Sequence, residues 1–162
     1  MATMESSKQN ENLVYDEIRK AWFVATPEEL VRQKLIQKML YELSYPRELI
    51  GVEKLLSDLS LKPAPKRRVD VVCFAKGMQG RRALAPLLLI ECKEEQKAET
   101  KALEQVKGYN RYVQAPFLAV AHPEGEKVLF LSGKQSFQEL GCLPSYFNLL
   151  QVIETCSFKT FL

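Results

Sequence analysis

The sequence has one histidine, His122, and no two cysteines at short spacing. Zinc sites in proteins are built mainly from clustered cysteine and histidine ligands, so we do not expect one here. The four cysteines are Cys73, Cys92, Cys142 and Cys156. Because they show no paired spacing, we expect free thiols, largely buried, in a reducing compartment.

Long apolar runs are also missing. The longest, Ala83 to Ile90, is far too short to span a bilayer and contains Pro86. Met1 to Asn12 is polar and has no apolar stretch, so we do not expect a signal peptide. No internal repeat or low-complexity segment is present. These absences predict a cytoplasmic protein without a membrane partner.

The composition is that of a globular domain. The chain has 162 residues, of which 46% are hydrophobic and 27% charged, enough for one domain with a sizeable core. We expect Met1 to Asn12 to be a loose tail and residues 13–162 to form a single domain. The net charge of +3 is compatible with a nucleic-acid partner without arguing for one.

Local patterns predict the elements. Thr26-Pro27 with Glu29 is typical of a helix start, and the helix should run to about Leu43. A second helix is predicted at Gln96 to Val113. Predicted strands are Ile50–Leu56, Val69–Ala75, Ala85–Lys93, Phe117–Ala121 and Lys127–Leu131, followed by a short helix at Lys134–Leu140 and a strand at Leu149–Ile153. A glycine-punctuated loop is predicted at Gly77 to Arg82.

The order helix, three strands, helix, strand predicts an α/β domain. An antiparallel three-stranded meander and a crossover helix to a fourth strand would give a mixed sheet with helices on both faces. In this αβββαβ core, Asp70 would lie beside Glu91 near the middle of the sheet. Lys93 shares a strand face with Glu91, whereas Cys92 points away. Two carboxylates and an ammonium group together suit a divalent cation and a hydrolytic water.

These residues carry a family resemblance. Asp70 with Glu91-Cys92-Lys93 resembles the catalytic signature of the PD-(D/E)XK nuclease superfamily, which has a restriction-endonuclease-like core. The segment from Gln105 to Tyr109 is similar to the QxxxY motif of its RecB-like branch. Residues 15–20 and 26–33 resemble the N-terminal nuclease domain of type I restriction enzyme R subunits, here as a short stand-alone protein.

The resemblance implies a metal-dependent nuclease acting on DNA phosphodiesters. Asp70, Glu91 and the backbone carbonyl of Cys92 would hold Mg²⁺, for which Mn²⁺ would substitute. Lys93 would orient or help deprotonate the attacking water. Glu29 matches an acidic residue that many members direct toward the metal.

Other residues would serve the substrate. In the resembling branch, Gln105 and Tyr109 lie beside the site and help to position DNA or active-site residues. Arg67 and Arg68 flank the site strand and would contact phosphates. No helicase motor follows in this chain, so translocation would need a separate helicase; a methyltransferase chain is a further candidate partner.

Each assignment has a structural alternative. Glu29 would equally complete a capping box with Thr26, and Tyr109 lies on the buried stripe of its helix. The arginines would equally be solvated surface charge, and Trp22 and Phe23 are expected to be core residues or a staple under the first helix. The alternative function is a non-catalytic nucleic-acid-binding or protein-interaction module that retains the fold.

Overall fold

The computed structural model describes residues 11–77, 83–132 and 136–159. Over these residues the chain forms four α-helices: α1 Pro27–Tyr41, α2 Leu56–Leu59, α3 Glu99–Val113 and α4 Tyr146–Lys159. It also forms eight strands: β1 Leu13–Asp16, β2 Ala21–Val24, β3 Ile50–Leu55, β4 Arg68–Lys76, β5 Leu84–Cys92, β6 Phe117–His122, β7 Gly125–Ser132 and β8 Ser136–Leu140.

Six of the strands form one mixed sheet in the order β3-β4-β5-β6-β7-β8. All neighbouring pairs are antiparallel except β5 and β6, which are parallel and joined by α3 as the crossover. The predicted αβββαβ order, with its three-stranded meander and crossover helix, is therefore confirmed. Helices flank the sheet, as expected for a restriction-endonuclease-like α+β fold.

The central strand β5 is buried on both faces. Leu88 and Ile90 pack in a cluster that includes residues of α1 and α4. Leu89 packs on the opposite side with Val106 of α3. This two-sided burial explains why β5 is a continuous apolar run rather than an alternating one. At its end, Cys92 joins the α1 side of the core, as the predicted strand alternation requires.

Helix α1 begins as its sequence predicts. The hydroxyl of Thr26 accepts a hydrogen bond from the Glu29 N–H at 3.1 Å, and Pro27 occupies the first turn. The helix ends at Tyr41, two residues before the predicted end. The side chain of Glu29 does not complete the capping box, since its two oxygens are bound by other side chains.

Two predictions near the end of the chain are wrong. The predicted helix at Lys134–Leu140 is replaced by the edge strand β8, Ser136–Leu140, which pairs with β7. The hydrogen-bond ladder with β7 satisfies the backbone of this segment and overrides its weak local helix signal.

The predicted strand Leu149–Ile153 is instead the middle of α4. Tyr146, Leu149, Leu150 and Ile153 recur at helical spacing and pack on the α1 side of the core. The Ser145 hydroxyl accepts a hydrogen bond from the Asn148 N–H at 3.2 Å, a helix N-cap contact. The helical period decides this segment, because it places all these side chains against the sheet.

Before α1, strands β1 and β2 form an antiparallel hairpin that the sequence analysis did not predict. Trp22 is 65% exposed, so its expected place in the core is wrong. The ring of Phe23 faces the other way and lies 3.4 Å from the guanidinium carbon of Arg19.

No disulfide joins the four cysteines within the described residues, and of the four only Cys73 and Cys92 are buried. No helix among the described residues is both long and apolar enough to cross a membrane. Of the predicted tail Met1–Asn12, only residues 11 and 12 are among the described residues. Of the predicted loop Gly77–Arg82, only Gly77 is.

Candidate active site

Strands β4 and β5 bring Asp70 and Glu91 together. The register pairs Val71 with Ile90, and one residue further along it sets Asp70 opposite Glu91. Both side chains are almost fully buried, Asp70 at 7% and Glu91 at 3% exposure. Facing residues on antiparallel strands lie about 5 Å apart, so the sheet itself makes the carboxylate pair.

A third acid lies on the same row of the sheet. The register of β3 with β4 sets Glu53 opposite Asp70 on its other side. Glu53 has a φ of +56°, in the left-handed region that residues other than glycine seldom adopt. Backbone strain of this kind is found preferentially at functional sites.

The two oxygens of Asp70 are both bound by the protein. Oδ2 accepts a hydrogen bond from the Cys92 N–H at 2.7 Å, and Oδ1 accepts one from Arg32 Nη2 at 2.7 Å. Arg32 Nη2 also contacts Glu53 Oε1 at 2.7 Å, and its Nη1 contacts Glu29 Oε2 at 2.5 Å. Burial lowers the pKa of Arg32, but the charges of Asp70, Glu29 and Glu53 outweigh this and raise it.

The ionic contacts continue from α1 to the hairpin. Glu29 Oε1 accepts hydrogen bonds from Arg19 Nη2 at 2.6 Å and from Gln33 Nε2 at 2.8 Å. Arg19 Nε and Gln33 Nε2 also bind the fully buried Asp16, at 2.7 and 2.8 Å. A chain of paired charges therefore runs from the hairpin to Asp70, and the Glu29 carboxylate is saturated within it.

Glu91 has a different environment. Its Oε1 is buried and has no hydrogen-bond partner among the described residues. Its Oε2 accepts a long hydrogen bond of 3.4 Å from Gln105 Nε2. Burial and then the charge of Asp70 raise the pKa of Glu91 to about 9. The raised pKa favours the protonated form of Glu91, whereas a bound cation would favour its ionised form.

Lys93 is the positive group next to this pair. Its N–H donates to Ala121 O at 2.9 Å, which continues the pairing of β5 with β6. The positive charge of Lys93 opposes the raised pKa of Glu91 and also that of Glu28. Burial and the charge of Asp70 raise the pKa of Glu28. Glu28 therefore belongs to the electrostatic surroundings of the pair.

Gln105 and Tyr109 lie together on α3, four residues apart. Gln105 Nε2 donates to the Tyr109 hydroxyl at 2.7 Å and reaches toward Glu91. The two side chains of the QxxxY segment thus lie on the Glu91 side of the site. Tyr109 also packs partly against the core on this face of the sheet, so its structural alternative holds as well.

The two arginines before Asp70 diverge. Arg67 lines a groove beside α3, whereas Arg68 Nη1 donates to the backbone oxygen of Glu53 at 2.8 Å. Cys92 contributes its N–H to Asp70, and the role of its carbonyl stays a prediction. His122 is paired with Glu99 at 2.7 Å.

The donor set fits a hard divalent cation. Two adjacent carboxylates offer oxygen ligands, and within the described part of the chain the buried Glu91 Oε1 lacks the hydrogen bond that a buried oxygen needs. Within the described ranges, no three His, Cys, Asp or Glu side chains converge as a metal cluster. Mg²⁺ suits such a site, because it keeps several waters and is commonly held by one or two carboxylates and a substrate phosphate.

Several residues of this region were not predicted as site residues, among them Glu28, Arg32 and Glu53. Arg32 had a readable signal, because it interrupts the buried face of α1 between Val31 and Leu35. The first turn of α1 has two adjacent acids, and a local pattern does not show that Glu28 as well as Glu29 lies near the site. The position of Glu53 depends on its positive φ and on strand register, neither of which a local pattern gives.

Comparison with known proteins places the chain in a family. Residues 27–144 match the family described as type I restriction enzyme R protein N terminus (HSDR_N). The match includes the whole of α1, the carboxylate pair and α3. No match is found among curated proteins. Because the match extends over more than half of the sequence, the chain belongs to the family of type I restriction enzyme R protein N termini.

Proposed function

We propose that the protein is a metal-dependent nuclease that hydrolyses DNA phosphodiester bonds. The observation that carries this is the buried pair Asp70 and Glu91, in which one Glu91 oxygen has no partner among the described residues. A buried carboxyl oxygen without a hydrogen-bond partner is costly, and burial opposes the ionised form of Glu91, so a bound cation would relieve both costs. The family relationship supports DNA as the substrate.

Asp70 and Glu91 would hold Mg²⁺ or Mn²⁺, with the Cys92 carbonyl as a further ligand. When bound, the ion supplies an acidified water and offsets negative charge on the phosphate. The protein's own groups define the rest. Arg32 and the Cys92 N–H fix the orientation of Asp70.

Lys93 has two roles in this proposal. Its ammonium would orient the attacking water and stabilise the charge that develops on the phosphate. Gln105, held by the Tyr109 hydroxyl at 2.7 Å, would position Glu91 and the neighbouring nucleotide. Glu28 would tune the charge of the site through its proximity to Asp70 and Lys93.

Cleavage of labelled substrates tests the proposal. Wild type, Asp70→Asn and Lys93→Ala are incubated with single strands, duplexes, forks and circles of DNA, and with RNA, in Mg²⁺, Mn²⁺ or EDTA. We expect cleavage by wild type in either metal, none in EDTA, and none by the variants. Equal cleavage by Asp70→Asn, or no cleavage of any substrate by wild type, contradicts the proposal; the latter favours the non-catalytic module.

A further inference from the structure

One surface next to the candidate site is lined by more cations than acids. A groove of about 680 Å³ runs beside α3. Its lining includes the cations Arg67, Lys101 and Arg111 together with Gln105, Tyr109 and Tyr112. None of the three cations has a carboxylate within ion-pair distance among the described residues. The one acid of the lining, Glu104, is paired with Lys107 at 3.1 Å.

Helix geometry makes this lining continuous. Lys101, Gln105, Gly108 and Tyr112 follow at intervals of four, three and four residues, so they share one face of α3. From Lys101 to Tyr112 the helix rises by about 16 Å. That length equals about five nucleotides of a stacked strand. Arg67 closes the opposite wall, where its backbone oxygen accepts a hydrogen bond from the Leu56 N–H at 2.9 Å.

The groove meets the carboxylate pair at Gln105. The same amide that lines the groove contacts Glu91 Oε2 at 3.4 Å. A strand lying in the groove therefore passes the unsatisfied side of the pair. Lys62, 5.6 Å from the centre of the Tyr112 ring, adds a further cation at the end of the helix.

A second groove provides a contrast. It has about 730 Å³ and lies between α1 and the turn joining β6 and β7. Its charged lining residues are Lys34, Lys38, Glu42, Glu94, Glu124 and Glu126. Lys38 is already paired with Glu126 at 3.0 Å. With four acids against two lysines, this groove repels a phosphate backbone, whereas the α3 groove attracts one.

We infer that the α3 groove binds one strand of the nucleic acid through its phosphates, leading it past Glu91. This inference rests on the proposed function. Cations that follow a backbone, combined with aromatic side chains, are typical of single-strand binding surfaces. Arg67, Lys101 and Arg111 supply cations that have no acidic partner in the described ranges, and Tyr109 and Tyr112 supply the aromatic surface.

Binding is measured by fluorescence anisotropy in EDTA, with a labelled single-stranded oligodeoxynucleotide and the corresponding duplex. We expect the triple variant Arg67→Gln/Lys101→Gln/Arg111→Gln to bind the single strand at least about tenfold more weakly. The slope of log affinity against log salt should fall by about 2, as expected for three lost phosphate contacts. A triple variant of exposed lysines elsewhere, Lys20→Gln/Lys34→Gln/Lys76→Gln, removes the same charge.

A second pair of variants tests the groove without removing its cations. A Cβ added at Gly108 meets no atom within 4 Å, so larger side chains enter open space. Gly108→Glu introduces a negative charge there, and Gly108→Gln is its neutral match. We expect the glutamate variant to bind the single strand several-fold more weakly than the glutamine variant.

The outcomes separate this inference from the proposed function. Equal losses in the two triple variants, an effect on the duplex alone, or equal binding by the two Gly108 variants overturns the groove assignment. If wild type cleaves DNA while the groove variants bind normally, the groove assignment fails and the nuclease proposal stands. If binding is lost as expected but wild type cleaves nothing, the groove stands and the nuclease proposal fails.

Discussion

The two carboxylates of the site face each other across β4 and β5 but differ in how they are bound. Both oxygens of Asp70 accept short hydrogen bonds, one from Arg32 and one from a backbone N–H. Glu91 has one oxygen with no partner among the described residues and one long contact to Gln105. The α1 side of the site is thus organised by the protein's own charges, whereas the α3 side is left for a ligand.

This difference indicates that the contacts of Asp70 maintain the structure of the site, whereas the open oxygen of Glu91 is available for a ligand. The charge network that binds Asp70 fixes the position of its carboxylate, so removing the network should lower the free energy of unfolding. Glu91, with an oxygen that has no partner among the described residues, destabilises the ligand-free protein. Substituting it should therefore change activity and metal affinity. Variants of Arg32, which holds Asp70 in place, should therefore act mainly on stability, whereas variants of Glu91 should act mainly on activity and metal binding.

The largest effect is expected for Glu91→Gln on hydrolysis. The amide keeps the shape of the side chain but removes the negative charge that would hold the cation. We expect the cleavage rate in Mg²⁺ to fall about a thousandfold, equivalent to about 4 kcal/mol. Single-turnover cleavage measures this, with circular dichroism as the control for folding. A rate within tenfold of wild type contradicts the assignment of Glu91 as a ligand.

On the other side, Arg32→Met should act mainly on stability. It leaves Asp70, Glu29 and Glu53 without their shared cation. Breaking a buried pair in this way costs about 3–5 kcal/mol of unfolding free energy. Urea unfolding in EDTA measures the loss. Arg32→Lys is the matched variant, because it keeps the charge but not the planar fork, and it should lose less. A change below 1 kcal/mol for Arg32→Met rejects the structural role.

Stability against pH gives a smaller effect of opposite sign. The pKa of Glu91 is raised from 4.5 to about 9 in the folded protein. Between these values the folded state holds a proton that the unfolded chain releases, so stability falls as pH rises. Glu91→Gln removes this dependence. In EDTA we expect the variant to be more stable than wild type by about 1–3 kcal/mol at pH 8, but not at pH 4. Parallel pH profiles of the two proteins would contradict a buried, proton-binding Glu91.

The smallest effect is expected on α3, beyond the site. Gly108 lies within the helix, where glycine costs about 0.5–1 kcal/mol relative to alanine, and an added Cβ has no close neighbour. Gly108→Ala should therefore stabilise the protein by that amount in thermal or urea unfolding. Destabilisation would show that this face of α3 is not open.

Much of the site was predictable because its acidic residues stand out against the apolar strands that contain them. An acid in the apolar β4 and another at the end of β5 lower stability when they are buried without a partner or ligand, so they indicate a functional site. Strand pairing then brings Asp70 and Glu91 together. Helix α1 was predictable from Thr26 and Pro27, which fix its start.

What the sequence did not predict depends on tertiary contacts. The role of Arg32 depends on β3 and β4, which bring Glu53 and Asp70 within ion-pair distance of its guanidinium group. The segment 136–140 becomes a strand because β7 is available to pair with it, and Leu149–Ile153 is helical because its longer surroundings continue the helical period. In these cases a window of five to seven residues carries less information than the contact that decides the structure.

Calorimetric titration with Mn²⁺ tests the central claim most directly. Wild type, Glu91→Gln and Asp70→Asn are compared at one pH, with and without a single-stranded oligodeoxynucleotide. The account predicts binding by wild type and affinity at least about tenfold weaker in both variants. Equal affinity in all three proteins, or no binding by wild type even with DNA present, would show that the open side of Glu91 does not hold a catalytic cation.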